Sequence, residues 1–235
     1  MAGAWVQDDT TVAQDGGSGV ELTSKAFGAN VTAGNLIAVM FGFGLSGTPT
    51  CSDGLGNTYT LKTNTYDATN EQSHAQFYAK NITGGACTVT ADANSGSAGY
   101  LRLGIMEISG CDTTAPDDGG AAAVQAGGTA TDYYSSGNII TTVTDFVFGS
   151  TQNIAEASPG TGTLTAGATP AYTIRETAGA NVIGMETRAS QAAATFDANF
   201  TRSVGHRSIT GIMAFKETAG GASVRKDLLL LGVGQ

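Results

Sequence analysis

The stretch Val31–Gly44, VTAGNLIAVMFGFG, decides the fold of this chain. A Thr-Ala-Gly-Asn turn opens it, and the following segment Asn35–Phe43 is almost entirely apolar. A strand that is half exposed alternates apolar with polar residues, whereas a strand covered on both faces is apolar throughout. We therefore predict a central strand here, with the other strands packed around it.

Short strand-like segments follow along most of the chain, and glycine-rich turns separate them. The predicted strands are Thr58–Lys62, His74–Asn81, Ala86–Ala91, Tyr100–Ile108, Asn138–Thr144, Asp145–Asn153, Ala171–Glu176, Asn181–Thr187, Ala192–Asn199 and Ser208–Lys216. No helical period lasts for more than a turn or two, and all four prolines lie between strands, as ladder hydrogen bonding requires. These features predict an all-β chain, a β-sandwich of jelly-roll-like type.

Three motifs recur in the same order at offsets of 113, 105 and 107 positions. The pairs are Tyr59–Lys62 with Tyr172–Arg175, Asp92–Asn94 with Asp197–Asn199, and Gly104–Met106 with Gly211–Met213. A nearly constant offset indicates an internally duplicated β unit. We expect one β-sandwich over residues 25–217, with halves at about 25–111 and 137–217, a connecting loop at 112–136 and an N-terminal arm at 1–24.

Composition and charge exclude several classes of function. Only 13% of the residues are charged and 34 of 235 are glycine, a composition typical of β proteins rich in turns. The net charge of −9, with 11 Lys and Arg, argues against binding nucleic acid through its phosphates. The first residues lack the pattern of a signal peptide, and no apolar run is long enough to cross a bilayer. We expect synthesis in a cytoplasm, with neither nucleic acid nor a membrane as a partner.

Residues that could catalyse a reaction are few. His74 and His206 are the only histidines, and no serine stands in a G-x-S-x-G elbow. We expect both histidines to lie at the surface or in turns, and we predict no enzymatic activity. Glu107 could form a carboxylate pair with Asp53 or Asp92. The apolar neighbours of Glu107 favour instead an outward-facing residue on an alternating strand.

Metal and cofactor sites are not indicated. The segment Asp53–Asn57 could offer oxygen ligands to calcium, but an Asx-type turn explains it better because carboxylates are sparse. Cys51, Cys87 and Cys111 show no C-x-x-C spacing and are expected as buried or half-buried thiols. A Cys51–Cys87 disulfide is the alternative if their strands are neighbours.

Three aromatic residues are candidates for binding. Trp5, the single tryptophan, is expected to anchor the N-terminal segment on the sandwich, with a binding role as the alternative. Tyr133 and Tyr134 lie in the long connection. They are the best candidates for a platform that stacks against a sugar, the alternative being simple packing of the loop.

The end of the sequence differs in character from the rest. Residues 218–223 read as a flexible linker, and four consecutive leucines follow at Leu228–Leu231. An apolar run of this kind is covered either by folding back on the chain's own sandwich or by docking on another subunit, and we expect docking. We therefore predict an interface formed by Leu228, Leu229, Leu230, Leu231, Val233 and Trp5.

The turn-and-strand pattern of Val31–Ile37, Ser52–Tyr59 and Glu107–Gly110 resembles a family of β-sandwich proteins common in the structural modules of tailed phages. The resemblance covers most of residues 20–217 and carries no catalytic signature. It implies a virion protein, either a capsid decoration protein or a fibre component, with copies of itself and shell proteins as partners. The alternative is a carbohydrate- or receptor-binding module of a fibre or adhesin.

Overall fold

The computed structural model describes residues 1–13, 19–96, 99–126, 132–153, 163–168, 171–178, 182–203 and 207–218. Within these ranges the chain forms β-strands and no helix. The strands are β1 (Ala4–Ala13), β2 (Leu22–Ala26), β3 (Leu36–Gly44), β4 (Thr50–Asp53), β5 (Tyr59–Asp67), β6 (Gln72–Ala79), β7 (Thr88–Asp92), β8 (Leu101–Ser109), β9 (Asp117–Gln125), β10 (Asp132–Ser135), β11 (Ile139–Ile140), β12 (Asp145–Asn153), β13 (Leu164–Ala166), β14 (Thr173–Ala178), β15 (Ile183–Gln191), β16 (Thr195–Phe196), β17 (Asn199–Arg202) and β18 (Ser208–Lys216).

Two five-stranded antiparallel sheets form the centre of the molecule. Their strand orders are β1-β8-β3-β6-β5 and β14-β15-β12-β18-β9. A three-stranded sheet, β2-β7-β4, covers the outer face of the first, and β10-β17-β13 covers the outer face of the second. The short pair β11-β16 also packs on the outer face of the second sheet. The fold is all-β and sandwich-like, with four layers.

The predicted central strand is β3, which pairs with β6 on one side and β8 on the other. Ile37, Val39 and Phe41 face the small outer sheet, and Leu36 and Met40 face the second half of the molecule. Each side chain of β3 is therefore buried in one of two apolar clusters. This double coverage is the reason that the strand lacks polar residues.

The two halves have the same strand order, with β1, β8, β3, β6 and β5 matched by β9, β18, β12, β15 and β14. Lys62 in β5 and Arg175 in β14 are each the extra residue of a β-bulge, and Gly104 and Gly211 occupy the same position in β8 and β18. The third pair of motifs does not occupy matching positions. Asp92–Asn94 begins with the last residue of β7, whereas Asp197–Asn199 ends with the first residue of β17. Duplication of one ancestral unit stays a prediction.

Two segments differ from their expected structure. The expected arm at 1–24 contains β1, and the expected loop at 112–136 contains β9 and the short β10. Both β1 and β9 are edge strands of the five-stranded sheets, and each carries a bulge. An edge strand needs only one hydrogen-bonded neighbour, so it can form from polar or small residues that show no apolar pattern.

Candidate functional site

A polar cluster fills one end of the interface between the two central sheets, and the other end is apolar. Its members, all buried, are Gln72, His74, Gln76, Arg102, Ser150 and Gln152. Gln76 Nε2 donates to Ser150 Oγ at 3.0 Å, and Gln152 Nε2 donates to the Ser73 carbonyl at 2.9 Å. Because each bond joins a strand of one half to a strand of the other, the cluster aligns the two halves.

Arg102 brings a buried positive charge into this cluster. Its Nη1 donates to Gln72 Oε1 and to the Asn153 carbonyl, both at 2.8 Å. Both acceptors are neutral, and burial lowers the pKa of Arg102 to about 10. A second positive charge placed in the same low-dielectric region would be costly.

His74 lies inside the cluster and not at the surface, so the expectation of a surface or turn histidine was wrong for this residue. Its Nε2 is 3.0 Å from Ser150 Oγ, and burial lowers its pKa to about 4. A histidine and serine at this distance are the pair that hydrolases use. Here both side chains are fully buried between the sheets, where no substrate reaches them. His206 lies outside the described residues.

Gly42 has no side chain, which leaves room for Gln152 in the polar cluster. A Cβ atom built on Gly42 would lie 1.6 Å from Gln152 Oε1. Gln152 is fully buried and its amide is already committed to Ser73, so it cannot move aside without losing that bond. The position therefore requires glycine because of the close approach of the second half.

Glu107 is buried, and the prediction of an outward-facing residue was wrong. Its Oε1 accepts hydrogen bonds from Thr32 N at 2.7 Å and Asn35 Nδ2 at 2.6 Å, and its Oε2 accepts one from Gln7 Nε2 at 2.6 Å. This carboxylate thus fastens β1 and the turn before β3 onto β8. Neither Asp53 nor Asp92 hydrogen-bonds to it among the described contacts.

The Asx-type turn predicted at Asp53 is confirmed. Asp53 Oδ1 accepts from Leu55 N at 2.9 Å and Asn57 N at 3.1 Å, and Oδ2 accepts from Tyr59 Oη at 2.9 Å. Burial raises the pKa of Asp53, but these hydrogen bonds outweigh it and hold the pKa below its ordinary value. The carboxylate is therefore occupied by its own loop.

The three cysteines are free thiols, as predicted, with Cys87 and Cys111 buried and Cys51 half-buried. The alternative of a Cys51–Cys87 disulfide is wrong even though β4 pairs with β7. Cys51 lies opposite Ala91, four residues along the chain from Cys87. That separation is roughly 13 Å in an extended chain, far beyond the span of a disulfide.

The edges of the two central sheets meet along two seams, which have different chemistry. At the β5–β9 seam, Lys62 Nζ forms an ion pair with Asp117 at 2.7 Å. At the β1–β14 seam, the Arg175 guanidinium lies over the Trp5 ring, 4.9 Å from its centroid. Trp5 thus contacts the second half of the molecule, and 40% of it remains exposed.

The predicted sugar platform in the long connection is not supported at Tyr134. This residue is only 2% exposed and packs with Leu164 and Phe200 beneath the outer sheet. A buried ring cannot stack on a ligand from solvent. The side chain of Tyr133 lies outside the described residues.

An open cleft of about 540 Å³ lies where the first and last described residues meet. Its lining includes Met1, Asp112, Val143, Ser190, Glu217 and Thr218, and we call it the terminal cleft. The Met1 amine donates to the Thr218 carbonyl at 2.8 Å. Met1 is 78% exposed and Val143 is 43% exposed, so the cleft offers apolar surface to solvent. The predicted interface residues Leu228, Leu229, Leu230, Leu231 and Val233 lie outside the described residues.

Sequence reasoning missed Gln72, Gln76, Arg102, Ser150 and Gln152 as a group. One signal was present, since Gln72, His74 and Gln76 alternate along β6 and must share one face of the sheet. What this face meets is on another sheet, more than 70 positions further along the chain. No local pattern reveals such a contact.

Comparisons with known proteins found no relative of this chain. No protein-family model matches the chain, and neither curated proteins nor solved structures match it. In the described part of the chain, no three His, Cys, Asp or Glu residues are grouped to hold a metal ion. The same residues contain no helix of the length and apolarity needed to span a membrane.

Proposed function

We propose that the chain is a structural protein of a bacteriophage particle, of the capsid-decoration type, attached to its shell or to neighbouring copies through Leu228–Leu231 and Val233. The observation that carries this proposal is the position of Thr218 in the wall of the terminal cleft, bonded to the Met1 amine. Thr218, the last described residue before the leucines in the sequence, therefore lies at one end of the molecule. An attachment segment at one end leaves the remaining surface free to coat a particle.

The energetics of the leucine segment support attachment. Burial of one leucine side chain contributes roughly 1.5–3 kcal/mol. Each residue of the linker at 218–223 that becomes ordered on attachment costs about 1–2 kcal/mol, so ordering one or two of them can cancel the gain from one leucine. Several leucines are therefore needed to hold one copy on a lattice, and the sequence provides four in succession.

The test is incorporation into particles produced from the genome that encodes the chain. Density-gradient particles should contain the full chain at a fixed ratio to the main shell protein. The double variant Leu229→Glu, Leu230→Glu should remain folded and stay in the soluble fraction. The matched control Leu61→Glu, at an exposed leucine of β5, should be incorporated as the wild type is. Wild-type protein absent from the particles, or equal incorporation of the double variant, would contradict the proposal.

A second candidate function, a carbohydrate- or receptor-binding module, is favoured by a different observation, the exposed ring of Trp5. The two functions are compatible, since a protein that coats a particle presents its surface to the outside. They are separated experimentally because particle incorporation depends on the leucine segment and ligand binding does not.

A further inference from the structure

Trp5 is held in place before any ligand arrives. Its indole N–H donates to Asp8 Oδ2 at 2.6 Å, and the Arg175 guanidinium covers one face of the ring. Arg175 is itself positioned, because its Nε donates to Thr187 Oγ1 at 2.7 Å. One ring face and the polar edge are thus occupied, and 40% of the residue remains exposed to solvent.

Joining the two halves does not require this exposed ring. The Lys62–Asp117 ion pair closes the corresponding seam on the other side of the molecule, and the neighbouring rings of Tyr78 and Phe215 are buried. Lys62 and Arg175 occupy the same bulge position in matching strands, so the two seams are directly comparable. At the β1–β14 seam an exposed aromatic ring makes the contact itself, whereas Tyr66 of β5, 39% exposed, is not part of the Lys62–Asp117 ion pair. The use of an exposed ring in the contact indicates a role beyond holding the halves together.

The groups around the ring define the ligand. The face of an aromatic ring is flat and apolar, and the ring quadrupole makes it partially negative. Such a face suits the polarised C–H groups on one side of a sugar ring. The second oxygen of Asp8 can accept a hydrogen bond from a hydroxyl group, and the remaining N–H groups of Arg175 can donate hydrogen bonds to hydroxyl groups. Asp8, Asp9 and Glu176 outnumber Arg175 and Lys25 at this seam, which disfavours an anionic ligand. Resting on the second candidate function proposed above, we infer that Trp5, Asp8 and Arg175 form a binding site for a neutral saccharide.

Trp5 also provides the measurement, because it is the single tryptophan of the chain. Its fluorescence should be titrated in the full chain with cellohexaose, maltohexaose and chitohexaose, and with a hyaluronan hexasaccharide as an anionic comparison. At least one neutral oligosaccharide should produce a saturable change with a Kd of about 1 mM or tighter, since few groups contribute. The anionic oligosaccharide should produce none. Absence of saturation with all three neutral oligosaccharides, or saturation with the anionic one alone, overturns the inference.

Variants then locate the site. By calorimetry, Trp5→Ala should weaken binding at least about tenfold, and Asp8→Asn and Arg175→Gln should each weaken it by about threefold or more. If Trp5→Ala fails to fold, Trp5→Phe should give a smaller loss in the same measurement. The control is Tyr100→Ala, which removes another exposed aromatic ring and should leave binding unchanged. Binding that survives both Trp5 variants at wild-type strength overturns the inference.

Discussion

The charge of His74 is constrained by its buried surroundings. In the folded chain burial lowers its pKa to about 4 from the ordinary 6.5, and the buried cation Arg102 belongs to the same cluster. Above pH 6.5 the imidazole is neutral in both the folded and the unfolded chain. As the pH falls from 6.5 to 4, only the unfolded chain takes up the proton, so stability is lost over this window.

We therefore predict that His74→Gln reduces the loss of stability in acid. The gap between the two pKa values corresponds to roughly 3 kcal/mol, so the wild type should lose about that much more than the variant between pH 7 and pH 4. Glutamine can keep a hydrogen bond to Ser150 without titrating. The measurement is the free energy of unfolding in urea at several pH values.

Other groups that titrate in the same range affect every variant equally. Burial raises the pKa of Glu186 to about 8 and that of Asp145 to about 7. Stability linked to these carboxyls is present at low pH and lost as the pH rises through those values. Both remain in every variant, so the difference between curves isolates His74. Parallel curves for wild type and His74→Gln would show that the imidazole does not limit stability.

At Gly42 the constraint is steric. We predict that Gly42→Ala lowers the free energy of unfolding by about 1–3 kcal/mol, because the added methyl group overlaps Gln152 across the interface. Gly54→Ala is the matched control, since nothing lies within 4 Å of a Cβ at Gly54. Chemical denaturation measures both. In a Gln152→Ala background, Gly42→Ala should lower the free energy of unfolding by less. An equal loss in both backgrounds would exclude the overlap with Gln152 as the cause.

At the scale of elements, β5 is joined to the second half by two ion pairs that differ in burial. Asp67 is buried and accepts from Arg207 Nε at 2.6 Å and Nη2 at 2.7 Å. These hydrogen bonds hold the pKa of Asp67 below its ordinary value. Asp117, paired with Lys62 on the same strand, is partly exposed. Burial and bidentate geometry make the first pair the stronger constraint.

We predict that Asp67→Asn costs about 3 kcal/mol of folding stability, because it leaves a partly buried guanidinium without its charge partner. Asp117→Asn should cost under about 1 kcal/mol, since water and salt screen an exposed pair. Urea unfolding of both variants at pH 7 provides the comparison. Similar losses for the two would mean that burial does not set the strength of these contacts.

At the scale of the whole molecule, the two halves share one apolar cluster. Leu36, Met40 and Met106 from the first half pack against Phe146 and Phe148 from the second. Neither central sheet can expose this face without losing the burial of the other. The halves should therefore unfold together, although each has its own outer sheet.

We predict a single cooperative unfolding transition. Trp5 fluorescence reports the β1–β14 seam and far-UV circular dichroism reports all strands, so the two should give the same midpoint in urea. An earlier fluorescence transition would mean that the seam opens before the sheets melt. Two circular dichroism transitions would mean that the halves are independent domains.

Features that depend on local sequence pattern could be predicted before the structure was known. The apolar density of Asn35–Phe43 indicated a strand covered on both faces, and β12 and β18 have the bounds predicted for them. The turn at Asp53 also followed from sequence, because its acceptors and donors lie within six residues. In each case the physical cause, alternation or a local hydrogen bond, acts between neighbours in the chain.

Features that depend on contacts between distant strands became apparent from the three-dimensional fold alone. Glu107 and His74 stand in strands with the composition expected for exposed or alternating positions, yet both are buried. Their partners are Gln7 at a distance of 100 positions and Ser150 at 76. The edge strands β1 and β9 likewise form because a finished sheet offers them unpaired hydrogen-bonding groups. Burial and edge pairing depend on residues that are far apart in the chain. A local sequence pattern does not show which residues these are.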